Sequence, residues 1–228
     1  MNTTKQITVL LAEDHVVVRE GLSSLLNVDG RFRILGEART GRQAVEMAQV
    51  LRPEVVLMDI AMPVLNGLEA TKQILATDPA AKVLILSAYS DDEYISRASA
   101  AGAIGFLEKQ TSSEILIKAI HEVAKGKPFF SPTIAKRKRK AQNKDRSRNG
   151  LLKASSALLT SRELEVLQLV AEGSANRQIA LELGISIKTV EKHRQNLMDK
   201  LSIHDTAGLT RFAIATGVIE NSVRLTIV

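Results

Sequence analysis

Five side chains in the first half of the sequence are of types that could act together on a phosphoryl group. Glu13 and Asp14 are an adjacent acid pair, Asp59 follows the apolar run VVLM, Ser87 closes VLIL, and Lys109 stands two residues past GFL. Each is commonplace alone: an Asp after a strand is usually a turn or helix cap, and a Lys there is usually solvated. Gathered in one place they are not commonplace. Clustered carboxylates repel unless a hard divalent cation neutralises them, and Mg²⁺ takes few carboxylates together with phosphate oxygens. A lysine supplies a compact cation for a phosphoryl group, and a serine hydroxyl can hydrogen-bond it. Metal, nucleophilic oxygen and cationic clamp are the parts that phosphoryl transfer needs.

Whether these residues meet depends on the elements that carry them. Short apolar runs at Ile7–Ala12, Phe32–Glu37, Val55–Met58, Lys82–Ser87 and Ile104–Leu107 are continuous and rich in Val, Ile and Leu, as expected of strands buried on both faces of a parallel sheet. Helical patterns lie between them at Val16–Asn27, Arg42–Leu51, Gly67–Ala76, Asp92–Ala101 and Ser112–Lys125. Five such repeats predict a doubly wound α/β fold, flavodoxin-like, with five parallel strands. In that fold the functional site lies beyond the carboxyl ends of the strands, where these five residues fall.

Composition narrows the classes. The 228-residue chain has room for two ordinary domains, and its 45% hydrophobic content fits folded ones. It contains no cysteine, which excludes disulfides and thiolate chemistry. The N-terminal apolar run ITVLLA ends in two acids and is too short for a signal peptide, and no stretch approaches a membrane span. A soluble, cytoplasmic protein with no membrane partner is expected. The net charge of +6 is uneven: residues 1–130 carry −2, residues 131–156 carry +8 and residues 157–228 carry zero. The basicity therefore sits in a connector, of a kind that attracts polyanions or is simply solvated. Domains are expected at 5–126 and 157–220, with a basic linker at 127–156 in which a short helix can follow Pro132.

The second domain reads as wholly helical. Thr160 and Glu163 form a capping-box pair for a helix that ends at Gly173. Further helices are predicted at Asn176–Leu183, Ser186–Leu201 and Asp205–Thr216, with Gly184 and Gly217 as C-caps. The middle two make a helix, tight turn and helix, with Ile185, Val190 and Leu197 inward and Lys188, Glu191, Lys192, Arg194, Gln195 and Lys200 outward. Such a face suits phosphates and major-groove base edges, though an ordinary surface helix looks similar.

The longer strings carry a resemblance. VLLAEDH, VVLMDIAMPVLNGLEA, VLILSAY and GAIGFLEK resemble the receiver domain of two-component response regulators. That resemblance implies Asp59 as phosphoacceptor, with Asp14, Asp59 and the backbone carbonyl of Ala61 holding Mg²⁺ directly and Glu13 acting through water. It further implies Ser87 and Lys109 on the phosphoryl oxygens and Phe106 as a switch aromatic. Pro63 and Gly67 match the loop and helix start after the acceptor. Two departures stand out: the acid pair is Glu-Asp rather than Asp-Asp, and Gln110 replaces the proline that many receivers carry.

LTSRELEVLQLVAEGSANRQIALELGISIKTVEKHRQNLMDKL is similar to the LuxR-type helix-turn-helix of NarL/FixJ-class regulators. By that likeness Ser186–Leu201 is the recognition helix. Glu191, Lys192 and Gln195 fall at base-facing positions, and Arg177, Lys188, Thr189, Arg194 and Lys200 belong to the DNA-contacting set, mostly near phosphates. His193 is read as packing or phosphate contact, and the last helix as the element that pairs two copies. The implied partners are a sensor histidine kinase, double-stranded promoter DNA and a second copy of the chain on that DNA. The implied protein is not a dedicated enzyme. The rival class is a Mg²⁺-dependent phosphohydrolase using Asp59 as nucleophile; those of the haloacid dehalogenase type carry a second Asp two residues later, where this chain has Ala61. A third reading, control by binding without phosphorylation, would leave the Asp14–Asp59–Ser87–Lys109 set unused.

Overall fold

The computed structural model describes residues 6–88, 92–131 and 159–219. The chain divides into two compact units, residues 1–145 and 146–228, which are described separately.

In the first unit, strands and helices alternate: β1 (Ile7–Ala12), α1 (Val16–Asp29), β2 (Phe32–Ala38), α2 (Gly41–Leu51), β3 (Val55–Asp59), α3 (Gly67–Thr77), β4 (Val83–Ser87), α4 (Asp92–Ala100), β5 (Gly105–Glu108), α5 (Ser113–Ala124) and β6 (Phe129–Phe130). All pair in parallel, in the order β2-β1-β3-β4-β5-β6. Alternate residues of each apolar run serve opposite faces, which is why the runs are continuous. Leu10, Val56, Met58, Ile85 and Phe106 join one core with helix residues such as Ala44 and Ile74. Val9, Leu11, Val55, Leu57, Leu84 and Leu107 join the other, with Leu26, Leu116 and Ile120.

Most expected elements are present, with ends that differ by one or two residues. The strand count is a correction: the sheet has six strands, not five. Phe129 and Phe130, which the sequence reading assigns to the connector, pair with Gly105 and Phe106 of β5. Two residues between prolines give no readable period, so only the tertiary contact makes them a strand. Their rings lie against opposite cores, Phe130 against one and Phe129 against the other. The helix anticipated after Pro132 and the basic run beyond it lie outside the described residues.

The second unit contains α6 (Ser161–Ala171), α7 (Asn176–Leu183), α8 (Ile187–Leu201) and α9 (Thr206–Ala215). The capping box is formed: Thr160 Oγ1 accepts from the Glu163 backbone N–H at 3.3 Å, and Glu163 Oε2 accepts from that of Thr160 at 2.8 Å. Gly184 ends α7 in the left-handed region at φ 61°, with nothing near its Cα that a side chain would strike, so it is needed for the turn and not for space. Ser186 proves to be the cap of α8 rather than its first residue, accepting from the Thr189 N–H at 3.1 Å. Val190 and Leu197 of α8 pack into a core with Val166, Leu167, Val170, Ile179, Leu209 and Ala213, while Ile185 is half-buried.

Candidate functional site

The sheet order reverses at β1, which has β2 on one side and β3 on the other. In such a sheet the functional site is expected at the carboxyl ends of the strands beside that reversal, and the acids sit there. Ala12 is level with Met58, so the residues that follow them, Glu13 and Asp59, leave the sheet side by side. Ser87 is level with Glu108, and the Lys109 N–H donates to the Ser87 carbonyl at 2.8 Å, which carries Lys109 toward the same edge. Its Nζ reaches Glu13 Oε2 at 2.8 Å and Asp59 Oδ2 at 2.9 Å. Ligand atoms of Glu13, Asp14, His15 and Asp59 all lie within 4.8 Å of one another. Four of the five side chains that opened the sequence reading (Glu13, Asp14, Asp59 and Lys109) are therefore together, and Ser87 is buried at the end of the neighbouring strand.

The electrostatics are unbalanced. Glu13 is 1% exposed and Asp59 2% exposed. Burial, reinforced by the charges of Glu13 and Asp14, pushes the Asp59 carboxyl up to about 6 in spite of the Lys109 ammonium beside it. Burial also opposes the charge on Lys109, but Asp59 and Glu13 outweigh it and hold the ammonium above its usual range. The lysine thus pairs with two carboxylates, and a third, Asp14, lies beside them. Their donor set is hard oxygen, the chemistry a divalent cation of the magnesium or calcium kind requires. The cluster can hold a metal ion.

The backbone around Asp59 is equally constrained. A side chain at Gly67 would overlap the carbonyl oxygen of Asp59, so the first residue of α3 has to be glycine. Between them Val64 adopts φ 70°, bridged by a Leu65 N–H to Pro63 carbonyl bond of 2.8 Å; this is a strained three-residue turn for a β-branched residue. Ala61 is half-buried in the same loop. Phe106 is fully buried, its ring turned into the core.

Two neighbours escaped the sequence reading. His15 Nδ1 lies 2.8 Å from Asp14 Oδ1 and 3.0 Å from Glu13 Oε1, with the side chain 56% exposed. Arg19 is 3% exposed, and its Nη1 donates to the Glu13 carbonyl at 2.8 Å and the Asp14 carbonyl at 3.4 Å. A signal for Arg19 was present: it shares the apolar stripe of α1 with Leu22 and Leu26, where a charge demands a partner.

In the second unit, Lys188, Glu191, Lys192 and Gln195 are exposed on α8, and Arg177 is exposed on α7. Thr189 is half-buried. Four of the expected contacts already have intramolecular partners: Thr189 Oγ1 lies 2.8 Å from Ser186 Oγ, Gln195 Nε2 donates to Asp199 Oδ1 at 2.8 Å, and Arg194 and Lys200 are also paired. Arg194 donates to Asn176 Oδ1 at 2.7 Å and Thr206 Oγ1 at 3.3 Å, tying α8 to α7 and α9. Lys200 Nζ lies 2.7 Å from Glu163 Oε2, which locks the end of α8 to the start of α6. His193 is half-buried and belongs to none of the metal-ligand groupings among the described residues. On α9, Leu209 and Ala213 are buried, whereas Ala207 and Ile214 face outward.

Comparison with known proteins agrees with both units. Residues 9–121 match the family described as the response regulator receiver domain, and residues 157–213 the one described as bacterial regulatory proteins, luxR family. The chain is 33% identical over 226 residues to the transcriptional regulatory protein DegU of Brevibacillus brevis, covering 94% of this chain and 96% of that one. It is 34% identical over 214 residues to the response regulator protein VraR of Staphylococcus aureus, covering 94% and 99%. Among solved structures, the response regulator ChrA of a heme-sensing two-component system superposes with a TM-score of 0.51 at 31% identity, covering 94% of this chain and 99% of that one. Acids gathered at the reversal point of a parallel sheet, a downstream helix-turn-helix, and likeness along nearly the whole length of these relatives lead to one family: the chain belongs to the two-component response regulators of the NarL/FixJ class, with a receiver domain followed by a LuxR-type DNA-binding helix-turn-helix.

Proposed function

We propose that Asp59 accepts a phosphoryl group and that this controls promoter binding by the second domain. The observation that carries this reading is the buried meeting of Asp59 with Glu13, Asp14 and Lys109. An Asp59 carboxylate oxygen attacks the phosphorus of a phosphohistidine on a sensor kinase, or of a small phosphodonor. The bond to the donor breaks, its electron pair leaves with the donor, and an acyl phosphate remains on Asp59. Asp14, Asp59 and the Ala61 carbonyl would hold Mg²⁺ directly and Glu13 through water, and the bound ion would supply positive charge for the transferring group. Lys109 shifts from its carboxylate partners to a phosphoryl oxygen, and the Ser87 hydroxyl donates to another. That movement changes the space beside Phe106 and biases the region around α4.

The output is DNA binding as a homodimer, with α8 in the major groove. Glu191, Lys192 and Gln195 face base edges, and Arg177, Lys188, Thr189, Arg194 and Lys200 lie along phosphates. Arg194 and Lys200 would serve twice, as braces of the helical core and as phosphate contacts. α9 pairs the two copies. No helix of the described residues is long and apolar enough to cross a membrane, and the reading places the protein in the cytoplasm as a regulator rather than a dedicated enzyme.

The test is transfer from acetyl phosphate or phosphoramidate in the presence of Mg²⁺. Wild type should gain a hydroxylamine-labile phosphoryl group and Asp59→Asn should not. An unlabelled wild type, or equal labelling of the variant, overturns the reading.

A further inference from the structure

We propose that Arg19 is a positioning residue for the divalent cation: it fixes the bend of chain that presents Glu13 and Asp14. The proposal rests on the reading of that cluster as a Mg²⁺ site. The bend is short. β1 ends at Ala12 and α1 begins at Val16, so both acids must be aimed within three residues. Its N-cap residue, His15, makes no side-chain hydrogen bond to the helix's own N–H groups, so the usual device for fixing a helix entry is missing.

Arg19, one turn into α1, supplies another. Its backbone N–H donates to the His15 carbonyl at 3.0 Å in the ordinary helical way. Its guanidinium turns back and donates to the carbonyls of Glu13 and Asp14. Nε lies 3.3 Å from Glu37 Oε2 near the end of β2. The next strand residue, Ala38, accepts the Glu13 N–H at 3.0 Å. β2 therefore grips the acid pair twice, once directly and once through Arg19. A guanidinium can do this because its planar fork reaches both carbonyls while the rest of the group stays in an ion pair with Glu37; the compact ammonium of a lysine lacks that span. Partners that orient metal ligands from behind typically govern metal affinity by roughly 10–100-fold.

A buried arginine can also be mere packing between α1 and β2, and the experiment separates the two roles. Mg²⁺ is titrated calorimetrically into the full-length wild type, Arg19→Ala, Arg19→Lys and Glu37→Ala, and thermal unfolding is followed in chelator. Arg19→Ala is expected to raise the Mg²⁺ Kd about tenfold or more. Arg19→Lys should fall between it and wild type, and Glu37→Ala should shift in the same direction by less. A lowered unfolding temperature with Mg²⁺ Kd within about twofold of wild type overturns the proposal. If Arg19→Ala fails to fold, the lysine and Glu37 variants carry the same comparison. A wild type that takes up no Mg²⁺ sinks the metal site itself and this proposal with it.

Discussion

Two buried acids, one in each domain, have opposite fates. Asp59 is 2% exposed and its carboxyl is pushed up to about 6. Glu163 is 3% exposed. Burial would push it up too, but the Lys200 ammonium and the Thr160 N–H and hydroxyl outweigh that and hold it below its usual range. The difference lies in company. Glu163 caps a helix and pairs with a lysine, so its charge is used up within the fold. Asp59 shares one lysine with a second buried acid and has a third nearby. An acid that the fold satisfies is structural; an acid left over-supplied with like charge is poised to meet a cation or a phosphoryl group.

The largest test of that contrast is steric. Gly67→Ala drives a methyl group into the Asp59 carbonyl, so either α3 or Asp59 must move. We expect the receiver to lose about 3 kcal/mol or more, with the helix-turn-helix transition unchanged, in calorimetric unfolding of the full chain. Two transitions falling together would break the comparison.

Next comes the charge itself. The folded state holds the Asp59 proton more tightly than the unfolded chain does, so the contribution of Asp59 to receiver stability should be greatest at and below the ordinary value of 3.8 and be lost as pH rises through about 6. In chelator, Asp59→Asn removes that loss. It should stabilise the receiver by about 3 kcal/mol at pH 7 and by almost nothing at pH 4, as read from denaturant midpoints. Glu163→Gln should do the reverse. A lowered carboxyl contributes stability that is present above its unfolded value and lost as pH falls through the folded one, so the variant should lose about 1 kcal/mol at pH 7 and little in acid. A stabilised Glu163→Gln would erase the distinction between the two acids. An effect of similar small size is expected at Val64→Gly, which releases a left-handed β-branched residue and should raise receiver stability by about 1 kcal/mol.

The sequence carried the gathered acids because a parallel sheet brings strand ends together without regard to chain distance. Asp14, Asp59, Ser87 and Lys109 were readable from their places after apolar runs alone. The same logic failed where an element has no period of its own. Phe129–Phe130 is a strand only because β5 offers an open edge. Arg19 lies on the apolar stripe of α1, which marks it as needing a partner, but its carbonyl partners follow only from the way the chain bends before that helix. Neither the left-handed turn at Val64 nor the overlap that forces Gly67 can be read from residue type, since both depend on how the Asp59 loop closes. In the second domain, spacing revealed the capping box, but not that Glu163 also receives Lys200 from the far end of another helix.

The sixth strand has a mechanical consequence. Phe130 is the register partner of Phe106 and the last paired residue before the chain leaves the sheet. Both rings press on the same core. The sixth strand and the buried Phe106 ring thus rest on one shared core, so shortening either side chain would loosen the support of the other.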